Sequence, residues 1–133
     1  MYIRFVVGSD TDHHKNLKGV FFCSYRLKKE GRLESFEEEL LDDTYQWFNK
    51  HLPCPPFKEN LEKKVWSTQA VSYYKDTAKE FIEKMRILAH LLNEHGEPVR
   101  VIRSSNPGKV LYEDDYQIIV KEYKVLPKRK VSV

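Results

Sequence analysis

"STQAVSYYKDTAKEFIEKMRILAHLLNEHGEP", Ser67 to Pro98, is the stretch on which the fold turns. Val71, Tyr74, Ala78, Phe81, Ile82, Met85, Leu88, Ala89 and Leu92 recur at steps of three and four, the spacing of one helical face. Lys75, Lys79, Glu83 and Arg86 fall on the opposite side, and Glu80 precedes Lys84 by one helical turn, a favourable ion pair. Ser67 stands where a cap is wanted. Gly96 suits the position just past the last turn, and Pro98 blocks a restart. The spacing predicts one long helix beginning at Ser67 and ending before Gly96.

Upstream, "GRLESFEEELLDDTYQWFNKHLP" (31–53) repeats the helical signature, with Leu33, Phe36, Leu40, Thr44, Trp47, Phe48 and Leu52 on one side. Ser35 with Glu38 reads as a capping box, the acidic first turns suit the positive end of the helix dipole, and Pro53 ends the element. A rigid extended connection opens with Pro53-Cys54-Pro55-Pro56 and runs to about Trp66. At the start of the chain, Tyr2–Val7 alternates as a strand, and the apolar, aromatic run Val20–Leu27 reads as a second strand. Three more strands follow the second helix: Pro98–Arg103, Lys109–Tyr112 and Tyr116–Val125. The order ββααβββ implies an α+β domain over residues 1–126. It would be a two-layer fold, with a mainly antiparallel five-stranded sheet and two long helices on one face. Trp47, Phe48, Phe81 and Met85 are the expected core, and 127–133 reads as a basic tail.

Composition narrows the classes. The 133 residues are 41% hydrophobic and 32% charged, the balance of an ordinary soluble globular protein. No apolar run reaches membrane-spanning length, and the opening Met1-Tyr2-Ile3-Arg4-Phe5 lacks the layout of a signal peptide, so the chain is read as cytoplasmic. Cys23 and Cys54 form no metal or redox motif, and no disulfide is expected. A net charge of +3 is too small to argue for nucleic acid, although a basic tail with exposed aromatics is what stacking on bases would need.

Short connections tend to reverse the chain, which would gather the 8–19, 53–66 and 104–108 loops at one polar edge. There Asp10, Asp12 and His14 are candidate ligands for a divalent metal, with Asp12 and His14 the better pair on one side of an extended segment and His51 or Cys54 to complete it. The turn chemistry of the same loop favours a solvated turn instead, and no cofactor is expected. Cys54 is a candidate nucleophile if His51 lies beside it. A small hydrolase or transferase at this edge would use Asp10, Asp12, His14 and Asn106 as working groups, the Asp and His side chains as ligands or as acid and base, and Arg103 to grip an anion. Arg4, Ser67-Thr68-Gln69 and Glu113-x-Asp115 faintly resemble the arginine, serine–threonine–serine and glutamate-x-glutamate signals of ADP-ribosyltransferases. No glutamate stands at the second acidic position, however, and Glu113–Asp115 is better used as a hairpin turn. The tip Tyr112–Tyr116 pairs aromatics around acids, as a contact for a basic partner would, but it also suits a plain charged hairpin.

"YIRFVVGSD" (2–10), "WFNKHLPCPPF" (47–57) and "HGEPVRVIRSSNPGKVLYEDDYQIIV" (95–120) together resemble a family of small uncharacterised bacterial cytoplasmic proteins. The resemblance implies a stand-alone bacterial domain and supplies no activity, cofactor or catalytic residue. With no assembled reaction centre in the sequence, the expected function is a non-enzymatic interaction module. It would bind a protein partner or itself, in preference to nucleic acid and with no role for a membrane. Phe22, Tyr25, Tyr116 and Tyr123 are the expected aromatics of an exposed sheet face.

Overall fold

The computed structural model describes residues 1–8, 18–53 and 70–122. The elements there are β1 (Tyr2–Val7), β2 (Lys18–Gly19), α1 (Val20–Lys29), α2 (Ser35–His51), β3 (Ala70–Lys75), α3 (Lys79–Glu94), β4 (Val99–Ser104), β5 (Gly108–Glu113) and β6 (Gln117–Glu122). The α+β class and the antiparallel sheet are as the sequence implies. Apart from the two-residue strand β2, which the sequence does not announce, the element order differs in two places.

The first difference is Val20–Lys29, which is a helix and not a strand. Val20, Cys23, Ser24 and Leu27 are its buried residues, spaced at three, four and seven, whereas an alternating strand would bury every second residue. Gly19 stands at its N-cap, and Arg26, Lys28 and Lys29 meet the negative end of its dipole. The second difference is Ala70–Lys75, which leaves the expected long helix and becomes a strand. The helical spacing from Tyr74 to Phe81 is nevertheless a real contact. Tyr74 stacks on Phe81 with ring centroids 6.2 Å apart, reached across a strand, a turn and the start of α3. Burial of Tyr73 opposite Ile118 of β6 is what draws the segment into the sheet.

Helix ends follow local chemistry. The capping box of α2 sits one residue earlier than the Ser35–Glu38 reading, with Glu34 at the N-cap and Glu37 returning to its amide at 2.9 Å. Helix α3 ends as expected at Gly96, whose φ of +79° lets its amide reach Asn93 O and the Glu97 amide reach Leu92 O. Helix α1 ends in the same way at Gly31, φ +68°, with Gly31 N on Lys28 O and Arg32 N on Leu27 O.

The long strands lie in the order β4-β1-β3-β6-β5, each antiparallel to its neighbours, and the two residues of β2 extend the sheet beside the end of β1. Strands β3 and β4 both run against β1 and flank it, so α3 makes a crossover between two parallel strands with β1 inserted between them. The link from Ser104 at one edge to Gly108 at the other spans four Cα steps, about 14 Å at most. Four strand spacings in a flat sheet are about 19 Å. The sheet therefore coils. On the face away from the helices this gathers Tyr73, Ile118 and Val120 with Tyr2, Val71 and Ile102 into a second apolar cluster. The main core lies on the other face: Phe5, Val7, Leu27, Leu41, Phe48, Phe81, Met85, Leu88 and Leu92 pack among β1 and the helices, with Trp47 partly buried against them. Phe36 and Leu40, expected in the buried stripe of α2, are exposed.

Candidate functional site

Helices α1 and α2 are joined by the turn at Glu30–Glu34, and α3 packs against both. The two are bridged by side chains. At one end Lys28 Nζ meets Asp42 at 2.8 Å; in the middle the Tyr45 hydroxyl lies 2.6 Å from Ser24 Oγ and donates to Phe21 O at 3.2 Å. Beyond Tyr45 the helices enclose an open groove of about 630 Å³, well within the volume of ligand sites. Phe21, Phe22 and Tyr25 form its α1 wall, Tyr45, Phe48 and Asn49 its α2 wall, and Leu52 and Pro53 close one end.

Rings give this groove its shape. Phe48 forms the floor, buried and set edge-on to Phe21 at 5.0 Å and to Trp47 at 5.3 Å. Phe22 and Tyr25 form the rim and are 59% and 51% exposed, unusually open for side chains that lose so much on hydration. Each rim ring carries a cation: the Arg26 guanidinium sits 5.8 Å from the Phe22 centroid, and the Lys29 ammonium 5.9 Å from that of Tyr25. Tyr45 is the titratable group among the lining side chains apart from the exposed Tyr25. Burial pushes the Tyr45 phenol up, outweighing the Ser24 hydrogen bond that favours ionisation, so it stays a neutral donor. Such a lining is suited to holding an apolar group, and among the described residues it presents no carboxylate, histidine or thiol.

The residues expected to share a polar edge fare differently. Asp10, Asp12, His14 and Cys54 lie outside the described residues, as do Ser67-Thr68-Gln69, Tyr123 and the basic tail. Among the described residues no group of three or more His, Cys, Asp or Glu is placed to hold a metal, and no helix is long and apolar enough to cross a membrane. Arg103 pairs with Ile3 and Ser104 with Tyr2, whereas Val99 pairs with Val7. Arg103 thus sits near the opposite end of β1 from Gly8, five residues or about 17 Å along the strand. The expected gathering of the 104–108 loop with the start of the 8–19 loop does not occur. The reason is one of parity: β3 adds a strand that the sequence reading folded into a helix, and β4 enters the sheet beside β1 with the other end leading. Asn106 is exposed and donates its amide to Ser104 Oγ at 3.2 Å, an ordinary turn contact. His51 stacks on Trp47 at 4.4 Å and donates Nδ1–H to Trp47 O at 2.8 Å.

The 113–115 tip is a hairpin held from within. Burial opposes the charge of Asp114. Hydrogen bonds from the Gln117 side chain, the amides of Tyr116 and Gln117, and the Tyr112 hydroxyl outweigh it and hold the carboxyl below its usual range. Glu113 is taken up by Lys75 at 2.8 Å. Of the aromatics expected on an exposed sheet face, Phe22 and Tyr25 belong to α1, and Tyr116 packs on Phe81 at 4.7 Å. The groove was missed because its α1 wall was read as a strand. The usable signal was Gly19 before the run and three cations at its end. Compared with known proteins, the chain matches no family model, no curated protein and no solved structure.

Proposed function

We propose that this chain is a non-enzymatic interaction module that docks a segment of a partner protein in the α1–α2 groove. The observation that carries the reading is the pair Phe22 and Tyr25, held open at the rim above a buried aromatic floor at Phe48. Exposed rings around a desolvated pocket are the usual energetic centre of a protein interface. A groove between two helices suits an inserted apolar side chain from a peptide.

The test is selection of a displayed library of random 16-residue peptides on the wild-type protein, with counter-selection on the double variant Phe22→Ala/Tyr25→Ala. Both side chains are exposed, so the variant should keep the wild-type melting temperature to within a few degrees. Recovered peptides should bind the wild type at least tenfold more tightly than the variant. A library that yields no peptide dependent on these rings overturns the reading. So does a dimer in solution that the double variant dissociates, which would make a second copy the occupant.

A further inference from the structure

We infer that the segment taken by the groove is acidic beside its apolar anchors. This rests on the docking reading above and adds the chemistry of the partner.

Helix α1 carries no acidic residue in its whole length, VFFCSYRLKK. Its exposed ridge interleaves rings and cations as Phe22, Tyr25, Arg26 and Lys29. Among the described residues, none that lines the groove is a carboxylate. The cations differ in how far they are already satisfied. Lys28 is held by Asp42 at 2.8 Å, and Arg26 shares Glu97 at 3.3 Å with Arg32. Lys29, among the described residues, has the Tyr25 ring and no carboxylate within ion-pair distance. A ligand settling over Phe22 and Tyr25 thus meets one ammonium with no carboxylate partner among the described residues and one guanidinium that shares its carboxylate, at the edge of an apolar surface. An aromatic or aliphatic anchor flanked by a glutamate or aspartate complements that surface.

The same interleaving of rings and cations occurs where single-stranded nucleic acid stacks. A phosphate backbone, however, recruits an array of cations along its track. Here two of the three cations on the last turn of α1 already hold carboxylates, which matches one or two acidic side chains and not a polyanion.

The library experiment reads this separately from the docking itself. Groove-dependent peptides should be enriched in Asp and Glu next to their apolar anchors. For the strongest clone, replacing those acids by lysine should weaken binding about tenfold at low salt, with the difference shrinking as salt rises. Lys29→Glu should weaken the acidic clone and restore part of the lysine version, a reversal that a general loss of folding cannot produce. Groove-dependent peptides without acidic bias, or an unchanged preference in Lys29→Glu, overturn the inference and leave the docking reading standing. An oligothymidine of 20 nucleotides that displaces the peptide overturns it in favour of nucleic acid. Recovery of no groove-dependent peptide at all is the failure of the docking reading, and this inference falls with it.

Discussion

Truncating Phe48 to alanine, beside the same truncation at Phe36, tests where the core of this fold lies. The two phenylalanines sit on one helix, and by spacing alone both belong to its apolar stripe. In the structure Phe48 is 4% exposed and Phe36 71%. Phe48 lies among Phe21, Trp47, Phe81 and Tyr74 with ring centroids 5.0 to 6.4 Å away, inside the range of favourable aromatic pairs. Removing a ring from such a site loses its transfer free energy and leaves a cavity that the neighbours fill only in part. The cost is about 3–5 kcal/mol, a large share of the roughly 5–15 kcal/mol that holds a domain folded. At about 3–5 °C per kcal/mol for a chain of this size, the melting temperature should fall by about 9–25 °C. Phe36→Ala removes a ring already in water and inserts a better helix former, so its effect should stay within about 0.5 kcal/mol. Urea unfolding followed by circular dichroism measures both, and unchanged slopes would show that stability alone has moved. Equal losses in the two variants, or a loss below about 1 kcal/mol at Phe48, would refute the packing described here and with it the floor of the groove.

Two further outcomes follow from local geometry. The Glu34 amide and, behind it, His95 hold the Glu37 carboxyl below its usual range, with His95 Nε2 at 3.0 Å. A lowered carboxyl adds stability that is present above the unfolded value, about pH 4.3, and is lost as pH falls through the lower folded value. The acid limb of a melting-temperature profile should therefore be steeper in the wild type than in Glu37→Gln, and superimposable profiles would remove this pair from the account. Tyr25→Pro places a proline inside α1 at an exposed position, which should cost about 3 kcal/mol or more if the segment is helical. A near-silent substitution would refute the helical assignment of Val20–Lys29.

Much of the architecture was legible in the linear chain. The spacing of apolar residues located α2 and the body of α3, because a helix that must bury one face writes that face at steps of three and four. Gly96 marked the end of α3, because a left-handed residue is needed there and glycine adopts it without strain. The three closing strands were legible as short runs between turn residues, the first of them β-branched and alternating. What tertiary structure alone decided was the state of Val20–Lys29 and of Ala70–Lys75. Local preferences between helix and strand differ by less than about 1 kcal/mol per residue. Fully burying one large apolar side chain is worth about 1.5–3 kcal/mol, so the partner surface overrides the propensity. Leu27 and Cys23 are drawn under α3 and β1, and Tyr73 is drawn onto β6. From those two choices come the coil of the sheet, the parting of Arg103 from Gly8, and the groove between α1 and α2. None of these is encoded in any single segment, because each depends on which faces meet.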